Sequence, residues 1–289
     1  MSTGTLLLLG FLAGATIVLG MPIARIDRAV PRTRALLNAI ACGILIFLLF
    51  DVLAHANEFV EGSLTAATDG KGSWGTFVGY VVLFAGGLAV GALSLVAYDR
   101  WLARRAAPPV SLSAAAATPR AEPVERRRGP IAQLSAGSDA ARLALFIALG
   151  IGLHNFSEGL AIGQSAAQGE ISLALALIVG FALHNGTEGF GIVGPYAASG
   201  ERPSWATLGL LALIGGGPTF LGTLLGQSFV NDALALLFLA LAAGSIVYVV
   251  VQLLKTAQKL GHQHLLMGGL VIGTLLGFAT DWILVAAGA

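Results

Sequence analysis

Eight apolar runs alternate with polar connections along the chain, over residues 5–24, 35–57, 74–98, 140–166, 171–197, 204–227, 232–254 and 265–287. A helix needs about 20 apolar residues to cross the hydrocarbon core of a bilayer. Lipid also offers no partner for a free backbone N–H or C=O, so each run predicts a helix. The expected fold is an all-α polytopic membrane protein with eight transmembrane helices. The one long polar stretch, 99–138, is rich in Ala, Pro, Ser and Arg and has nothing periodic to bury. It predicts a disordered or weakly helical linker. The chain therefore divides into helices 1–3 over 1–98, the linker over 99–138, and helices 4–8 over 139–289.

Charge orients this pattern. Fifteen of the 16 Lys and Arg residues fall on one side of the alternation, from Arg25 to Arg34, Arg100 to Arg142, Arg202, Lys255 and Lys259, with Lys71 alone opposite. By the positive-inside rule that side is cytoplasmic. The reading is a multi-pass protein of a plasma or inner membrane, with both termini outside or periplasmic and the 99–138 linker inside. Composition agrees: 56% of residues are hydrophobic, 11% are charged and the mean hydropathy is +0.84, outside the range of a soluble domain. No basic segment precedes the first run and Arg25 follows it, which points to a retained helix, not a cleaved leader. The single cysteine, Cys42, excludes an internal disulfide and argues against a metal–thiolate site. Glycines recur at spacings of four, as at Gly222 and Gly226 or Gly269, Gly273 and Gly277, a pattern that lets membrane helices approach closely. Gly215-Gly216-Gly217-Pro218 in helix 6 predicts a kink or an unwound turn.

Two segments in the middle of the chain are near copies: Gly152-Leu153-His154-Asn155-Phe156-Ser157-Glu158-Gly159 and Ala182-Leu183-His184-Asn185-Gly186-Thr187-Glu188-Gly189. Each puts a histidine four residues before a glutamate, on one face of a helix. The connection between helices 4 and 5 is short, so the two are antiparallel neighbours and the motifs meet at similar depth. Carboxylates inside a membrane are costly unless something uses them. The spacing predicts a four-ligand cluster, His154, Glu158, His184 and Glu188. Its two carboxylates offset a divalent charge, and the donors suit zinc, iron, manganese or cobalt. The bland alternative is that each His and Glu pairs across the interface and holds no ion; the duplication disfavours it. Asn155 and Asn185 either add amide oxygens beside the cluster or bond across the helix interface. Asp51, towards the outer end of helix 2, and Asp281 of helix 8 are further acids within spans.

The paired motifs on the fourth and fifth of eight helices, with a long connection after the third, resemble the ZIP family of divalent-metal transporters. The likeness in topology covers essentially the whole chain, whereas the motif match is confined to helices 4 and 5. Ser157 and Thr187 stand where the family usually has proline, which predicts straighter helices whose hydroxyls bond back to carbonyls. The family's second metal position corresponds to Asn155, Asn185, Glu158, Glu188 and Gly217, the last in place of an acid. One strong metal position and a weak or absent second one are expected. By the same resemblance Asp51, His55 and Glu58 form an outer relay that collects cations, or else are solvated residues at a helix end.

The resemblance implies a transporter that carries a divalent metal, zinc foremost and also iron, manganese, cobalt or cadmium, into the cytoplasm by alternating access. Metal binding should displace protons, so that uptake weakens at acid pH. No GxxxxGK[ST] motif is present, so ATP is not expected as the energy source, and no nucleic-acid partner is expected. The partners are the metal ion, the bilayer and, by resemblance, a second copy in a homodimer. A rival from another class is an intramembrane metal-dependent hydrolase, for which only Asp281 remains as a general base. A third is a metal-blind relative. His262 and His264 read as solvated loop residues.

Overall fold

The computed structural model describes residues 1–25, 31–106, 131, 134, 137–169, 171–228 and 231–286. Among these, eight helices are long and apolar enough to cross a membrane, and no strand occurs. They are α1 (Thr3–Ala15), which continues as two 3-10 turns (Thr16–Leu19 and Met21–Arg25), α2 (Pro31–Thr68), α3 (Trp74–Ala106), α4 (Asp139–Ala167), α5 (Ile171–Ser199), α6 (Trp205–Gly226), α7 (Asp232–Lys259) and α8 (Gln263–Ala286). Ser2, Ser73, Ser138, Ser204 and Asn231 start five of them, each side-chain oxygen accepting from the backbone N–H three residues on, at 3.0–3.2 Å. The tight α2–α3 and α4–α5 connections turn at Gly70 (φ 71°) and Gly169 (φ 85°), in the left-handed region that glycine enters without strain.

Four elements differ from the hydropathy reading. The first span is not one α-helix: Gly20 lies against the α5 backbone at Gly186–Phe190 and Gly189 against the Ile17 carbonyl. The Ala13 carbonyl, at the point where α1 gives way, accepts from both Thr16 Oγ1 (2.7 Å) and Asn185 Nδ2 (3.0 Å). The second helix runs on past residue 57 to Thr68, because Glu58 to Thr68 break the apolar run with polar residues but contain no proline to end the helix. The third reaches Ala106, into the stretch read as linker, where Asp99 pairs with Arg142 Nε at 2.9 Å and Tyr98 packs on Phe146. The expectation placed on 107–130 lies outside the described residues. Helix α6 is not unwound at Pro218. The two carbonyls beside that proline are taken up by α4: the Ile214 carbonyl abuts Gly152, and the Gly215 carbonyl accepts from Asn155 Nδ2 at 3.0 Å.

Packing sorts the helices. Helix α4 lies along α6 and α5, with α1 closing against α5 and α6; α3 packs on α7 and α8 on α2. Helices α2 and α7 touch α5 and α4 across the seam between the two sets. Phe47, Leu48, Ile147, Ile151, Ile192 and Leu236 fill the interior. Val82 and Val90 of α3 and Val271 and Trp282 of α8 face outwards, more than half exposed, as lipid-facing side chains do. The chain is a multi-pass membrane protein.

Candidate metal centre

Antiparallel α4 and α5 bring the duplicated motifs face to face. His154 Nε2 lies 3.2 Å from Glu158 Oε1 and 4.0 Å from Glu188 Oε1; His184 Nε2 lies 3.5 Å from Glu188 Oε1. The two imidazole centroids are 6.0 Å apart. All four side chains are buried, Glu188 completely. Among the described residues, both nitrogens of His154, Nε2 of His184, Oε2 of Glu158 and both oxygens of Glu188 are enclosed without a hydrogen-bond partner. Converging orphaned donors of this kind are costly in a membrane interior and fit a divalent cation. The rest of each motif serves the helices: Thr187 Oγ1 donates back to the His184 carbonyl at 2.7 Å, whereas Ser157 Oγ is buried without a partner.

Asp51 is displaced from its expected place. Because α2 continues to Thr68, Asp51 stands near the middle of that helix, not near its outer end. One ligand atom each from Asp51, His154 and His184 lies within 4.8 Å of the other two. His55 and Glu58 follow on the same face of α2; His55 Nδ1 is 3.5 Å from Asp51 Oδ1. A cavity of about 350 Å³ joins Asp51, His55 and Glu58 to His154 and Glu158, walled by Phe181 of α5 and Leu239 of α7. It occupies the half of the bundle that carries the α4–α5 connection. His55 and Glu58 are exposed at its wide end.

The asparagines form a relay behind the cluster. Asn155 Nδ2 donates to Asn185 Oδ1 (2.8 Å) and to the Gly215 carbonyl, while Asn185 Nδ2 donates to the Ala13 carbonyl. Helices α1, α4, α5 and α6 are thus tied together at the depth of the site. Both ends of the Asn185 amide are engaged in helix contacts, and Asn155 Oδ1 is buried with no partner. A side chain at Gly217 would start against Leu213 of its own helix and no other neighbour. Asp281 of α8 does not line the cavity. His262 and His264 stand at the α7–α8 turn, part-exposed and exposed. Sequence reasoning missed two contacts to His184, the Phe47 ring edge at 5.8 Å between centroids and Thr280 Oγ1 at 3.4 Å from Nδ1. The glycine spacing of α8, which lets Phe47 lie over Gly277, was the available signal.

An eight-helix membrane bundle with a buried, imidazole- and carboxylate-lined centre at the end of a cavity that Asp51, His55 and Glu58 also line is a fold suited to passing cations. The family model for ZIP zinc transporters matches residues 118–284, more than half of the chain, and the chain belongs to that family. It is accordingly a divalent-metal transporter. Comparison with curated proteins gives no match.

Proposed function

We propose that the chain takes up a divalent transition metal, zinc foremost, through one strong position formed by His154, Glu158, His184 and Glu188, with Asp51 reaching in from α2. The observation that carries this reading is the convergence of buried, unpartnered imidazole nitrogens and carboxylate oxygens from α4 and α5. Donors limited to nitrogen and oxygen suit zinc, iron(II), manganese, cobalt and cadmium better than Cu(I). Asn155 Oδ1, buried without a partner among the described residues, is a further oxygen for a weak second position.

Charge and the cavity together support inward transport. With the arginine-rich end cytoplasmic, the cavity opens outwards, and Glu58, His55 and Asp51 form the entrance by which cations descend to the cluster. Both termini are then outside and the 99–138 linker cytoplasmic. On the cytoplasmic side of the cluster, Ile17, Ile151 and Ile192 converge on Gly215 and are fully buried, so release requires this apolar plug to repack while the entrance closes. Three carboxylates around a divalent ion leave one negative charge, which a proton offsets. Metal entry then exchanges with protons, and uptake falls as the outside is acidified.

Uptake by the purified protein in liposomes, measured for zinc, iron(II), manganese, cobalt and cadmium, tests the reading. A transporter loads the vesicles. Metal that binds without entering would favour the intramembrane hydrolase, and no binding at all would remove both.

A further inference from the structure

Of the two imidazoles at the site, His184 alone has a hydrogen bond to another helix among the described residues. Its Nδ1 lies 3.4 Å from Thr280 Oγ1 of α8, and that hydroxyl is 2.7 Å from the Gly277 carbonyl oxygen, one turn back. A carbonyl only accepts, so the single hydroxyl hydrogen points to Gly277, and towards His184 the Thr280 oxygen can only accept. The hydrogen of the neutral ring is then on Nδ1 and the lone pair on Nε2. That second nitrogen is buried without a partner and lies 3.5 Å from Glu188 Oε1. It is the bare donor that a metal requires.

The placement of Thr280 is built into the packing of α8. Gly273 lies against Gly43 of α2, and Thr274 Oγ1 donates to the Gly43 carbonyl at 3.2 Å, which pins the register of the two helices. Gly277 leaves room for the Phe47 ring, which lies T-shaped to the His184 imidazole at an interplanar angle of 61°. The ring is therefore held by an aromatic edge and a hydroxyl. His154 contrasts with it, since neither of its ring nitrogens has a hydrogen-bond partner.

We infer that Thr280 is a positioning residue, whose hydroxyl holds His184 as the Nδ1–H tautomer and so turns a bare Nε2 towards the metal position. Its consequence for transport rests on the metal-site reading above; the tautomer itself does not. Groups that orient a ligand imidazole in this way fix both its tautomer and its aim.

Histidine nitrogen-15 NMR of the purified, metal-free protein reads the tautomer, with His184→Gln used to assign the signal. Wild type and Thr280→Ser are expected to show the Nδ1–H form at His184, and Thr280→Val, of equal volume, to lose it. In liposomes the zinc KM should rise about tenfold or more in Thr280→Val, with a smaller change in Vmax, and stay within about twofold in Thr280→Ser, the scale expected of a partner behind a ligand. A valine variant that keeps tautomer and KM, or a serine variant as impaired as the valine, overturns the inference. Should Thr280→Val fail to fold, the wild-type spectrum still decides, because an Nε2–H signal at His184 contradicts the assignment. If wild type binds no zinc, the metal reading falls while the spectrum still judges the role of Thr280.

Discussion

The carboxylate of Asp51, within 4.8 Å of ligand atoms of His154 and His184, would turn the proposed ligand set from one of two helices into one of three. It brings a carboxylate of α2 up to the α4–α5 pair, at the inner end of the cavity that His55 and Glu58 line. Replacing Asp51 with Ala should raise the zinc KM in liposomes by at least about tenfold, the lower end of what metal sites lose with an orienting partner. His55→Ala, at a side chain 56% exposed in the cavity mouth, should do much less. Equal effects of the two would return Asp51 to the entrance. The four-residue spacing of His154 with Glu158 and of His184 with Glu188 was legible because it follows from helix geometry alone. The depth of Asp51 was not legible, because hydropathy marks where apolar residues stop, whereas the helix continues until Asp69-Gly70 stops it.

At the scale of elements, close backbone approach matters more than bulk. Gly222 of α6 lies against the Phe156 carbonyl and Gly159 of α4, while Gly209, on the same helix, has no neighbour within 4 Å. Gly222→Leu should therefore lower stability in detergent by about 1–3 kcal/mol, the usual cost of overpacking, and Gly209→Leu should leave it nearly unchanged. Thermal unfolding of the two variants checks this, and similar losses would contradict the packing described. The four-residue glycine rhythm announced such contacts without naming partners, since a helix face does not specify which helix covers it. The same holds for Gly215 to Pro218. Of the kink or unwound turn that the sequence predicted, the unwound turn does not occur: α6 stays helical through Pro218, with Asn155 and Gly152 of α4 against the Gly215 and Ile214 carbonyls.

For the whole molecule, the eight spans and their alternation followed from hydropathy and arginine placement, because lipid imposes both. The asymmetry between the cavity on one side of the cluster, which Asp51, His55 and Glu58 line, and the three isoleucines packed on the other emerges only from packing. Cys42 is fully buried, so thiol labelling starts from a silent background. Ala161→Cys in the cavity wall should react with an impermeant thiol reagent added from outside and be protected by zinc, whereas Ile192→Cys in the plug should not react. Labelling of Ile192→Cys from outside would show the plug to be open. The central claim, that the buried cluster carries the metal across, is tested most directly by zinc uptake into liposomes with Glu188→Gln, which keeps the shape of the side chain and removes its charge. Glu188 is fully buried among both imidazoles, so the expected result is loss of saturable uptake by a chain that still folds. Uptake at the wild-type rate would contradict the account.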